Sequence, residues 1–184
     1  MHPGDRSIEQ GGKAQFRQHY DLAHADLGKA IVLSRRTGDE ARLATSLMRQ
    51  ARIECDRGHP GSAIPLYEQA VKLHRRANDP LALASALQHL GDAYRERGAF
   101  DDAQPCYDEA LAIYRAVDET PSLVLADALK PLALLQEALG FDDAAEAVWR
   151  EAFELYDENG AHASADECGL HLQALATPRP VSSQ

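Results

Sequence analysis

Apolar residues recur along this chain with a helical stride. Leu83, Leu87, Leu90 and Tyr94 stand at i, i+4, i+7 and i+11, which places them on one stripe of a helix that turns every 3.6 residues. Gly91 shares that face. Further on, Ala103 and Ala110 flank Tyr107 on a second stripe. Small residues on both faces let two helix backbones approach, and the Tyr107 ring fills the space they leave. Gly98, between the stripes, predicts a left-handed C-cap for the first helix. Asp101 or Asp102 is expected to start the second. Nothing alternates with period two over a useful length, so no strand is predicted and the expected class is all-α.

The pattern repeats. The position of Ala30 recurs at Ala70, Ala110 and Ala152, and that of Gly58 at Gly98 and Gly140, a period of 40 to 42 residues. The earlier unit has Leu47, Ala51, Gly58, Ala63, Tyr67 and Ala70, with Gln50 and Glu54 in place of Leu90 and Tyr94. The later one has Leu129, Leu132, Ala133, Gly140, Ala145, Trp149 and Ala152, with Gln136 in place of the tyrosine. Upstream, Ala23, Leu27 and Ala30 match only the second helix of a unit, and Gly11-Gly12 weakens any helix before them. Asp79-Pro80 and Thr120-Pro121 each predict a capping side chain before a proline at the first helical position. Gly38-Asp39 and Asn159-Gly160 mark further boundaries. Pro65 and Pro105 lie early enough in their helices to be tolerated, whereas Pro131 lies inside one and is expected to bend it or loosen a turn. The chain reads as one domain, 1–184: a partial first unit over 1–38, units over 39–78, 79–118 and 119–158, a capping helix over 159–176 and a loose tail over 177–184.

The middle unit, with Leu87, Leu90-Gly91, Tyr94, Gly98, Ala103, Tyr107 and Ala110, resembles the tetratricopeptide repeat. Units longer than the usual repeat of about 34 residues are similar to those of kinesin light chains and of several bacterial regulators. The resemblance covers roughly residues 40 to 157. It implies a right-handed α-solenoid of antiparallel helix pairs, with a concave groove lined mainly by first helices that holds peptides or partner proteins.

On that analogy the groove side chains are Thr45, Met48, Arg52 and Cys55, then Ser85, Gln88, Asp92, Arg95 and Glu96, then Asp127, Lys130, Leu134 and Glu137. Arg52, Arg95 and Lys130 are candidates to pair with carboxylates of a peptide, and Met48 and Leu134 offer apolar contact. The alternative is that these charges pair with one another along adjacent helices. Members that clamp the C-terminal carboxylate of heat-shock chaperones use Lys, Asn and Arg at set groove positions. The matching positions here hold Met48, Arg52, Asp127 and Pro131, so that clamp is not expected.

Charge and composition narrow the partners further. A net charge of −10 disfavours nucleic acid and acidic membranes, which attract cations. Arg35-Arg36 and Arg75-Arg76 end second helices, where cations complement the helix dipole. No run approaches the roughly 18 apolar residues that span a bilayer, and Cys55, Cys106 and Cys168 form no CxxC pair, so a cytoplasmic protein is expected. Abundant alanine, and arginine in excess of lysine, point to a GC-rich bacterial source.

Enzyme chemistry has no constellation to stand on. His19 and His24 are five apart and do not share a helix face as an i, i+4 metal pair would. Cys55 has no histidine tied to it, and the pairs Asp101-Asp102 and Asp142-Asp143 suit helix starts. No phosphate-binding Gly motif occurs. The expectation is a non-catalytic module without cofactor or metal that binds a protein or peptide in its groove. The alternative is a scaffold that self-associates through a solenoid end, motivated by the weak first unit and by Leu170, Leu172 and Leu175.

Overall fold

The computed structural model describes residues 22–177. Among them are eight α-helices and no strand. The first, α1, is followed to residue 37. The others are α2 (Glu40–Asp56), α3 (Pro60–Ala77), α4 (Pro80–Glu96), α5 (Phe100–Ala116), α6 (Ser122–Leu139), α7 (Asp142–Glu158) and α8 (His162–Ala176). His19, Gly11-Gly12 and the tail from residue 178 lie outside the described residues.

Helices of 17 and 18 residues in α2 to α7 account for the long period. The step from 40 to 42 arises in one connection: α3 ends at Ala77 and α4 starts at Pro80, but α5 ends at Ala116 and α6 starts only at Ser122. Contacts group the chain into two compact units, divided between Asn78 and Asp79.

In the first unit α2 and α3 pack as an antiparallel pair. Their core joins Ala44, Leu47, Ala70 and Leu73 to Ile31 of α1, with Leu43, Met48 and Leu66 packed against it. Asp39 caps α2 by accepting from the Arg42 N–H, and Pro60 opens α3 behind His59. In the second unit the pairs α4/α5 and α6/α7 follow one another, α4 touches both α5 and α6, and α8 packs on α7. Tyr107 and Trp149 are fully buried at equivalent positions, 0 % exposed. Rings of that size remove about 150–250 Å² from water, worth at most ~4–6 kcal/mol each by transfer.

Two expected helix starts are displaced. Asp101 and Asp102 sit in the first turn of α5, which begins at Phe100 with Ala99 in the cap position. They favour the helix through its dipole and not as caps. Thr120 does not cap α6 either. Pro121, with φ −61 and ψ 138, is the half-in residue, and the helix starts at Ser122. The Thr120 hydroxyl is left buried without a partner among the described residues. Asp79 does cap α4, accepting from the Ala82 N–H at 3.1 Å with Pro80 behind it. Helix α6 runs unbroken through Pro131, which is buried.

Candidate functional site

The expected wall residues all lie on first helices. In the first unit α2 carries Thr45, Met48, Arg52 and Cys55. Thr45 is exposed and spends its hydroxyl on the Ala41 carbonyl of its own helix, 3.0 Å away. Met48 packs against the core. Arg52 donates to Asp56 at 3.1 Å, and this bond raises the guanidinium pKa above its ordinary value. Cys55 is half-buried and, like Cys106 and Cys168, is in no disulfide.

In the second unit the wall is tied to the second helices through aromatic tips. Tyr107 of α5 donates its hydroxyl to Asp92 Oδ1 at 2.9 Å and accepts from Arg95 Nε at 3.3 Å. Seven residues on, Tyr114 lies against Ser85, and burial first pushes its phenol pKa up while the Ser85 hydroxyl works the other way. The next pair repeats the device. Trp149 of α7 donates its indole N–H to Glu137, and Tyr156 donates its hydroxyl to Asp127. Glu137 and Asp127 stand in the repeat where Arg95 and Ser85 stand before. Burial first, and the adjacent carboxylates next, push the Tyr107 and Tyr156 phenols well above their usual range. Both remain neutral donors at physiological pH, so the carboxylates they hold are fixed in place.

The remaining wall groups fill in around this frame. Lys130 pairs with Glu167 of α8 and lies 5.9 Å over the Tyr156 ring. His171 of α8 stacks on Trp149 with centroids 4.1 Å apart and brings Nδ1 to 2.9 Å from the same Glu137 oxygen. Gln88 and Leu134 are half-buried, and Glu96 is exposed. The three expected cationic anchors therefore each have a neighbour already: Asp56 for Arg52, Tyr107 and the Asp92 carboxylate for Arg95, Glu167 for Lys130.

Sequence reasoning did not find the aromatic ties. Their signal is the spacing itself, Tyr107 with Tyr114 in α5 and Trp149 with Tyr156 in α7, two aromatic residues two helical turns apart. It also missed a cleft of about 500 Å³ between α1 and α2, lined by Ala23, Asp26, Leu27, Arg49, Arg52 and Ile53. His24 sits beside it, against Gln50 at 3.0 Å and Glu54 at 3.2 Å. Among the described residues no group of three or more His, Cys, Asp or Glu side chains is placed to hold a metal ion, and no helix is long and apolar enough to cross a membrane.

Solved structures share this architecture. BtubC (BKLC) from P. vanneervenii superposes with a TM-score of 0.65 at 18% identity, covering 95% of this chain and 81% of that one. A putative kinesin light chain with nearly identical TPR-like repeats from Podosopora anserina gives a TM-score of 0.64 at 18% identity, with 91% of this chain and 92% of that one covered. At such identity the likeness establishes the helical-repeat fold alone. A search of curated proteins finds no match. The sequence pattern of the tetratricopeptide repeat matches residues 42–116 and 81–158. These overlapping matches take in most of the chain and coincide with the paired helices seen in the structure, and the chain belongs to the tetratricopeptide repeat family.

Proposed function

We propose that this chain is a non-catalytic interaction module that holds a peptide or partner-protein segment against its first helices, and that in the second unit carboxylates lead the contact. Repeats of this family generally serve protein–protein interaction or scaffolding. The observation that carries the reading is the fixing of Asp92, Asp127 and Glu137 by Tyr107, Tyr156 and Trp149. A carboxylate already held by a neutral donor keeps lone pairs free and has little freedom left to lose, which lowers the cost of binding. Four acids, Asp92, Glu96, Asp127 and Glu137, face two cations, Arg95 and Lys130, on the α4 and α6 positions. A segment rich in Lys, Arg or backbone N–H donors suits this wall, as the net charge of −10 does.

A peptide array probed with the purified chain tests this. Basic peptides should be retained, and retention should weaken in Asp127→Asn, which keeps an acceptor for Tyr156, and in Glu96→Lys, which touches an exposed site. Preference for acidic peptides, lost in Arg95→Glu, would return the anchoring role to the cations. Binding indifferent to all three variants would remove the wall from the proposal.

Self-association is a second reading, favoured by the cleft between α1 and α2 and by Leu170 of α8, which is 66 % exposed.

A further inference from the structure

Helix α1 has the register of a second helix, yet among the described residues no first helix pairs with its inner face. Ala103, Tyr107 and Ala110 of α5 are 0 %, 0 % and 1 % exposed because α4 packs on them. Their counterparts on α1, Ala23, Leu27 and Ala30, are only half-buried. The same contrast holds one helix on. Pro131 and Leu135 of α6 are buried, whereas Arg49 and Ile53, the matching positions of α2, are exposed and half-buried. These open positions line the cleft of about 500 Å³. It is the place in the repeat that a first helix occupies.

Helix α8 has the complementary character. It packs on α7 and reaches α6 through Glu167 and His171, as the first helix of a following pair would. Its outer stripe, Ala163, Asp166, Leu170 and Ala174, is exposed along its length. That stripe sets one large apolar residue between two small ones, and the cleft sets Leu27 between Ala23 and Ala30. The charges are also opposite. Among the described residues neither Arg49 nor Asp166 has a hydrogen-bond or ion-pair partner.

Building on the self-association reading, we propose that α8 of one copy seats in the α1/α2 cleft of a second copy, with Leu170 against Leu27 and Asp166 paired with Arg49. Each copy then presents one cleft and one α8. The contact is heterologous, so each copy can engage two others, one through its cleft and one through its α8.

Light scattering on the full chain, without any peptide, tests this. The average mass should rise steadily from micromolar to millimolar protein, and Arg49→Glu, Asp166→Arg and Leu170→Glu should each hold it at one chain. All three sites are exposed, and circular dichroism checks that the variants keep their helices. Two results are specific to the proposed pairing. The double variant R49E/D166R should regain association, and an equimolar mixture of R49E with L170E should form a complex that stops at two copies. A single-chain mass for the wild type throughout the range overturns the proposal, as does association unaffected by the charge reversals. A variant lacking residues 1–21 that associates where the full chain does not would assign the cleft to that segment instead. Because the assay contains no peptide, its failure leaves the wall reading standing, and D127N and E96K, which test the wall, should associate as the wild type does.

Discussion

Replacing Gly91 by alanine should destabilise the protein, although alanine is the better helix former and stands at the equivalent positions Ala51 and Ala133. A Cβ built on Gly91 would lie 2.6 Å from Cε1, 2.9 Å from Cδ1 and 3.0 Å from Cζ of Tyr107. Carbon atoms pack at about 3.5–4.0 Å, so the ring or the α4 backbone must move by about 1 Å. The ring has little room to yield, being 0 % exposed and bonded through its hydroxyl to Asp92 and Arg95. Overpacking of this kind costs about 1–3 kcal/mol, and the helix preference for alanine over glycine returns about 0.5–1 kcal/mol. The net loss lies between about 0 and 2.5 kcal/mol, and at about 2–4 °C per kcal/mol for a chain of this size the Tm should fall by up to ~10 °C. A double-mutant cycle with Tyr107→Leu isolates the contact. Once the ring is gone, Gly91→Ala should become neutral or stabilising. A higher Tm for G91A in the wild-type background, or the same cost with and without the ring, would refute the reasoning.

Other substitutions probe the same physics. Asp79→Ala removes the bond to the Ala82 N–H and should cost about 0.5–2 kcal/mol in urea denaturation; Thr120→Val deletes a buried hydroxyl with no partner among the described residues and should be neutral or stabilising. Above pH 10 stability should decline. Phenols of the unfolded chain ionise near 10.0, while Tyr107 and Tyr156 resist ionisation in the folded state, so their contribution is complete below that pH and lost as pH rises past it. Tyr107→Phe should flatten this decline, and an unchanged slope would count against the burial argument. Cys168 is 0 % exposed and burial pushes its thiol pKa up, so it should react with a disulfide reagent after Cys55 and Cys106. Glu137→Ala, which removes the acceptor shared by Trp149 and His171, should speed Cys168 labelling about tenfold for ~1.5 kcal/mol of lost docking. No acceleration would show that α8 is held by other contacts.

Most of the fold is legible along the chain because the features that specify it are local. Leu87, Leu90 and Gly91 fall on one face by helical geometry alone, and all three are buried. Asp39 and Asp79 reach a backbone N–H three residues ahead, a distance fixed within the turn. Where local signals compete, the reading slips by a residue. Thr120 and Pro121 form an acceptable cap in sequence, but the longer connection after α5 puts Pro121 in the cap position.

The sequence by itself determined the period, the helix pairs, their buried faces and the side chains assigned to the first-helix wall. Only the tertiary structure decided which of those wall groups are already engaged. Asp92 with Tyr107, Glu137 with Trp149 and His171, and Lys130 with Glu167 are joined across helices at separations of 12 to 37 residues. Such bonds depend on interhelix distance and rotamer, which periodicity does not encode. That no described helix covers the inner face of α1 is hidden from the sequence for the same reason. Ala23, Leu27 and Ala30 have the pattern of a covered helix, and whether a neighbour covers them is a property of packing.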